Sequence, residues 1–240
     1  MFDISDWLKQ QNIYEQQVQC LSDNVVLVRH IESGVLYKLK LAVEAAAKYL
    51  ATQEVLWLRR SSDCQPVKCY LSEGNANYQL VVMDYLAGLS LSELLKKQLT
   101  LDATRVMSSL FDGINRLHEQ GIVHNDIKPN NIIVQNDQAF IIDLASSGWV
   151  NQQYSSKKYK SFTPAFSLPD IYLFDSFQPI ADWYAYLLIL GLVKNGTVYS
   201  LTPLNLDDFI HYHEALIYAY EFSPQKQTFL INQLNAISPI

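Results

Sequence analysis

Residues 24–41, NVVLVRHIESGVLYKLKL, are β-branched and partly alternate apolar with polar positions. That pattern predicts two strands, with Gly34 after Ser33 supplying the turn. Residues 42–60, AVEAAAKYLATQEVLWLRR, contain neither Pro nor Gly and are rich in helix formers, which predicts a helix. PVKCYL (66–71) and YQLVVMDYL (78–86) then read as two further strands joined by the turn-like SEGNAN. Helical spacing returns at SLSELLKKQ (90–98) and DATRVMSSLFDGINRLHEQ (102–120). The second of these opens on an acidic N-cap, Asp102, and stops at Gly121. The first eighty-odd residues are thus mostly strand with one helix, and the remainder mostly helix. The pattern changes at DYLAGLS (84–90), which is read as a hinge between two lobes, 1–86 and 87–240. A polar stretch without periodicity, residues 146–170, follows the last strand pattern, and runs of that length are usually functional or mobile.

Composition narrows the picture. The chain has 240 residues, 49% of them hydrophobic and 18% charged, enough to fill a core. A net charge of -6 argues against a nucleic-acid partner, which favours a basic surplus. The apolar run WYAYLLILGLV (183–193) is about half the length that crosses a bilayer, so it reads as a buried helix with no membrane role. The opening MFDISDWLKQ has acids and no long apolar run, unlike a secretory signal. Cys20, Cys64 and Cys69 complete no four-ligand metal site and read as reduced thiols of a cytoplasmic protein.

Candidate chemistry concentrates in GIVHNDIKPNNIIV (121–134), where two short apolar runs bracket a knot of polar residues. Polar groups at the edge of a core need partners or a task. A carboxylate can take a proton from a hydroxyl, an ammonium can offset developing negative charge, and an amide oxygen can ligate a hard cation such as magnesium. Asp126, Lys128 and Asn131 are the corresponding residue types. Lys128 lies two residues beyond Asp126, the spacing at which an extended segment points both side chains the same way. Taken singly, Asp126 and Asn131 are also the residues that cap loops, and His124 reads as a structural histidine bonded to backbone.

The stretch from His124 to Asn131 resembles the protein-kinase catalytic loop, H-R-D-x-K-P-x-N, and the Lys128–Pro129 pair resembles the serine/threonine branch. The resemblance continues along the chain. QAFIIDLASSG places Asp143 where the family has D-F-G; VLYK places Lys38 where it has V-A-I-K. QEVLWLRRSSDCQPVKCY puts the partner of that lysine at Glu54, and leaves Lys40 an ordinary strand lysine. YQLVVMDYLAG resembles the strand before the hinge, SFTPAFSLPD the G-T-P-x-Y-x-A-P-E stretch, and ADWYAYLLIL the central helix with its buried aspartate, Asp182.

The resemblance implies an α+β, two-lobed fold, with a small β-rich N-lobe carrying one helix and a truncated, mostly helical C-lobe. It implies a serine/threonine protein kinase using ATP and magnesium on a protein substrate. Asp126 would be the catalytic base with Lys128 and Thr163 beside it, and Asn131 and Asp143 would hold the metal. Lys38 and Glu54 would hold the phosphates of ATP, Met83 would be the gatekeeper, and Asp84 to Leu86 would face the adenine edge.

Departures from the pattern keep two alternatives open: a pseudokinase acting as scaffold or allosteric regulator, and a small-molecule kinase on the same fold. LSDNVVLV (21–28) stands where the family has a Gly-rich loop, and no glycine occurs before Gly34. Glycines let backbone N–H groups approach phosphates closely, and Asp23 would repel phosphate. Leu144 and Ala145 replace the Phe and Gly of D-F-G, and Asp170 replaces the Glu of A-P-E, with no arginine after Arg116 to pair with it. Asn125 replaces the arginine that pairs with an activation-loop phosphate. The expectation is activity independent of such phosphorylation, untouched by alanine at any hydroxyl from Tyr154 to Ser161. The aromatic tail (Tyr199, Phe209, Tyr212, Tyr218, Tyr220, Phe222) is expected to fill the lower-lobe core.

Overall fold

The structure is a computed structural model, and it describes residues 4–11, 14, 19–22, 24–61, 66–159, 161–169, 175–202 and 205–237. Cys64, Asp23 and Asp170 lie outside these residues. The chain divides into two compact units, Met1–Ala87 and Gly88–Ile240.

The first unit is built on an antiparallel five-stranded sheet in the order β1-β2-β3-β5-β4. Its strands are β1 (Gln19–Ser22), β2 (Val25–Arg29), β3 (Leu36–Ala42), β4 (Cys69–Gly74) and β5 (Gln79–Asp84). Between β2 and β3 the chain reverses at Gly34, whose φ of +68° suits glycine, and Gly34 N–H donates to the His30 carbonyl at 2.9 Å. The strand period of two sorts the side chains. Val26, Val28, Leu39, Leu41, Leu80 and Val82 share one face, and a helix at the start of the chain, α1 (Ile4–Gln11), buries Trp7 and Leu8 against them. The single helix expected for this unit is therefore two. The other, α2 (Ala45–Arg60), packs on β3, β4 and β5 and buries Ala51, Glu54, Val55 and Leu58, the spacing of one helical stripe.

The second unit opens with a short strand, β6 (Leu89–Ser90), and helix α3 (Leu91–Lys96), fastened by a capping box between Ser90 and Glu93. Helix α4 (Ala103–Glu119) starts where Asp102 accepts from the Arg105 N–H at 3.0 Å, and its chain turns off at Gly121, φ +74°. Strand β7 (Ile122–Val123) follows, then β8 (Ile132–Gln135) and β9 (Gln138–Ile141). Asn136 and Asp137 join the last two with φ of 52° and 57°, the left-handed pair of a tight hairpin turn. The order β6-β8-β9 makes one small sheet. A second pairs β7 with β10 (Gly148–Trp149), which lies within the stretch whose sequence shows no periodicity.

Helix α5 (Pro179–Asn195) runs through the core of this unit: every residue from Ala181 to Gly191 is buried. Helices α4, α6 (Leu206–Ala219) and α7 (Pro224–Ala236) pack against it, with Trp183 against Phe111 and Phe229 at ring separations of 5.0 and 4.9 Å. Buried tyrosines find acceptors: Tyr186 donates to the Met107 carbonyl and Tyr220 to that of Leu190, each at 3.0 Å. Of the aromatic tail, Phe209, Tyr220 and Phe222 are buried, whereas Tyr218 is 60% exposed and belongs to the surface. Among the described residues no helix is long and apolar enough to cross a membrane.

Candidate active site

The loop between β7 and β8 gathers the polar knot. Its backbone is pinned from α5: the Asp182 carboxylate accepts from the N–H of His124 at 2.8 Å and of Asn125 at 2.7 Å, and the His118 ring reaches the same carboxylate at 2.9 Å. A buried carboxylate is costly unless its lone pairs are used, and these three donors use them. The hydrogen bonds of His124 fix its tautomer. Nδ1 accepts from the Asp126 N–H at 3.2 Å, so Nε2 carries the proton and donates to the Ile142 carbonyl at 3.1 Å. His124 is thus a fully buried structural strut.

Asp126 stands at the centre and is 8% exposed. Oδ1 accepts from the Thr163 hydroxyl at 2.8 Å; Oδ2 accepts from Lys128 Nζ at 2.7 Å and from Asn131 Nδ2 at 3.2 Å. Lys128 Nζ also donates to Thr163 Oγ1 at 2.9 Å, closing a triangle. Lys128 is in extended backbone, φ −157° and ψ 161°, and for that reason its side chain falls on the side of Asp126. A carboxylate held this way can orient a hydroxyl and take its proton, with an ammonium alongside for developing negative charge.

Asn131 spends both its Nδ2 hydrogens on Asp126, one on the side chain and one on the carbonyl at 2.9 Å, which leaves Oδ1 as its ligating atom. The Ile142 N–H donates to the Asn131 carbonyl at 2.9 Å, so the backbone brings Asn131 beside the segment that runs from β9 to Asp143. Asp143 adopts left-handed backbone, φ 64° and ψ 68°, and Leu144 after it is fully buried, filling the place expected of an aromatic. An amide oxygen and a carboxylate on adjacent chain segments are the donor types that a hard divalent cation such as magnesium takes, so the residues present fit that ion. Beside this cluster lies a cavity of about 410 Å³, walled by Leu95, Pro129, Phe166 and Leu192, with Lys96, Lys128 and Thr163 at its polar side.

In the first unit the expected ion pair is corrected by one strand repeat. Glu54, 2% exposed on α2, binds Lys40 and not Lys38: Nζ donates to Oε2 at 2.8 Å. Lys38 and Lys40 lie on the same face of β3, opposite Met83 and Val81 of β5, and are equivalent by pattern. What separates them is where α2 lies along the strand. Met83 is buried. Asp84 closes β5 by accepting from the Lys68 N–H at 2.8 Å and from the Tyr70 hydroxyl, a bond that pushes the phenol up to about 12. Leu86 is half-buried, just before the unit ends at Ala87.

Two contributors carry no signal in the sequence. His118 sits at the end of an amphipathic helix like any other polar residue. Tyr154 lies in a polar stretch, yet it is buried and its hydroxyl donates to Asn125 Oδ1 at 2.7 Å. Alanine at Tyr154 would therefore open a hole, so this residue does not belong among the hydroxyls expected to be dispensable.

The protein kinase domain family model matches residues 22–234. Serine/threonine-protein kinase 1 of Heliothis zea nuclear polyhedrosis virus is 26% identical over 189 residues, covering 76% of this chain and 68% of the viral one. Calcium-dependent protein kinase 4 of Plasmodium falciparum is 27% identical over 184 residues, 72% of this chain but 35% of that protein's length. The solved structure of the Cydia pomonella Granulovirus kinase PK-1 superposes with a TM-score of 0.67 at 19% identity, over 96% of this chain and 90% of that one, which establishes the shared fold. The β-rich first unit and helical second unit are those of the protein-kinase fold, and the chain belongs to the eukaryotic-like protein kinase family of enzymes.

Proposed function

We propose that the chain is a serine/threonine protein kinase, transferring the γ-phosphoryl group of ATP to a hydroxyl of a protein. The observation that carries this reading is the bracketing of Asp126 by Lys128, Thr163 and Asn131 at 2.7, 2.8 and 3.2 Å. Asp126 orients the acceptor hydroxyl and takes its proton; Lys128 offsets charge on the transferred group; Thr163 holds both in register. Asn131 Oδ1 and Asp143 are the residues that would hold magnesium, which supplies charge neutralisation on the phosphates. In the first unit, the role first given to Lys38 passes to Lys40, whose ammonium Glu54 fixes for the α- and β-phosphates. Met83 is the gatekeeper, and Asp84 to Leu86 offer backbone to the adenine. The apolar cavity beside Lys128 and Thr163 takes the acceptor segment. The printed names of the viral and Plasmodium relatives support the serine/threonine and protein-substrate reading.

A scaffold reading draws on one feature: β1 is exposed along its whole length and glycine-free, where a phosphate-cradling loop would need glycines. A melting experiment with ATP and magnesium separates the two. The kinase reading expects ligand to raise the melting temperature by mass action, and Asp143→Ala to abolish the rise. No rise at millimolar nucleotide favours the scaffold.

A further inference from the structure

Three of the anchors of the loop that presents Asp126 act on the two residues before it. Asp182 holds the backbone N–H groups of His124 and Asn125, and the Ile142 carbonyl holds the His124 ring. The third anchor comes from the segment after β10: the Tyr154 hydroxyl donates to the side chain of Asn125, which sits at φ +66° immediately before Asp126. Asparagine tolerates left-handed backbone better than other residues with a Cβ, and this turn aims its side chain at Tyr154.

Tyr154 is itself immobilised. Its N–H donates to the Asp175 carbonyl at 2.9 Å, and its ring lies 4.4 Å from that of Phe177. Phe177 is clasped in turn by backbone bonds to Asn151 and Gln152, each at 2.9 Å, and Lys157 Nζ lies 5.6 Å over its ring while donating to the Ser147 carbonyl. Gly148 is required here, since a Cβ at that position would stand 2.6 Å from the Phe177 ring.

We infer that Tyr154 is a positioning residue for phosphoryl transfer, a built-in strap that holds the Asp126 loop through a neutral hydrogen bond and makes a phosphate on this segment unnecessary. The chemistry of the pair supports this. Asn125 offers an amide, which binds a phenol well and a phosphate poorly, and both partners are buried, with Tyr154 only 4% exposed and out of reach of a modifying enzyme. Ser155 and Ser156, the exposed hydroxyls beside it, make no bond to the loop.

The inference rests on the kinase reading, so its test includes a readout that does not. Tyr154→Phe keeps the ring on Phe177 and removes only the hydroxyl, stranding a buried amide oxygen. Hydrogen exchange at the Asn125 and Asp126 amides should accelerate about tenfold while α4 and α5 amides stay as in the wild type. Turnover should fall about tenfold with KM for ATP unchanged. The double variant Asn125→Gly, Tyr154→Phe should be no slower than Tyr154→Phe alone, because one bond joins the two. Alanine at Ser155, Ser156, Tyr159 and Ser161 together should leave turnover intact. Unchanged exchange at Asn125 and Asp126, acceleration spread equally over α4 and α5, additive losses in the double variant, or collapse of the four-alanine variant would each overturn the proposal. A wild type that exchanges as described but transfers no phosphate sinks the kinase reading and leaves the strap standing.

Discussion

The two units hold their polar groups in different ways. In the second, Asp126, Lys128 and Asn131 lie within six residues, and their spacing brings them together at 2.7 and 3.2 Å on a loop that other elements pin. In the first, Lys40 and Glu54 meet at 2.8 Å only because a helix lies on a sheet, and a shift of α2 along β3 would hand the pair to Lys38. A site built from nearby residues has its membership set by the sequence; a site built across elements has its membership set by packing.

The largest effect that separates the two should come from the lysines. Lys128→Ala removes the donor shared by Asp126 and Thr163, and turnover should drop by about 10²–10³-fold in steady-state assays. Stability should change by no more than about 1 kcal/mol, because Asp126 keeps the Thr163 hydroxyl and the Asn131 amide as donors. Lys40→Met should behave in the opposite manner. It leaves Glu54 buried without its cation, which costs about 3 kcal/mol in urea denaturation, while Lys38→Met should stay within about 0.5 kcal/mol. Equal losses for Lys38 and Lys40 would mean that α2 does not choose between them.

That contrast explains which parts of the molecule were legible in the sequence. The catalytic-loop residues were, because their spacing is their geometry. Asp182 was legible through the resemblance of ADWYAYLLIL to the family's central helix, and the loop N–H groups are what satisfies its buried carboxylate. The strand lysine was not, because period-two alternation makes residues 38 and 40 the same to any pattern. Helix α1 carries Ile4, Trp7 and Leu8 at the spacing of a helical stripe, but eight residues give that stripe barely two turns, too short to register as a helix. Tyr154 was missed because a buried tyrosine inside a polar run has no neighbours in sequence that mark it.

Packing also sets a pH limit on the second unit. His213 on α6 is fully buried among Phe209, Tyr212 and Tyr199; Nδ1 donates to the Phe209 carbonyl, and burial pushes its pKa down to about 4. The unfolded chain takes up this proton near 6.5, before the folded chain does, so stability is full above that pH and is lost as pH falls through 6.5 toward 4. Between pH 7 and 5 the loss from this residue should be about 2 kcal/mol, and denaturation of His213→Gln should show a correspondingly flatter profile. The smallest effect belongs to a contact that is wholly local: Asp102→Ala removes the α4 cap and should cost about 1 kcal/mol with turnover unchanged.

The central claim is that one carboxylate, held by an ammonium, a hydroxyl and an amide, carries out phosphoryl transfer. The most direct measurement is the transfer of γ-labelled phosphate from ATP to protein acceptor by the wild type and by Asp126→Asn at matched melting temperature. The account predicts labelled phosphoserine or phosphothreonine from the wild type and a rate about 10²–10⁴-fold lower from the variant. A variant as fast as the wild type, or label that never leaves ATP, would contradict it.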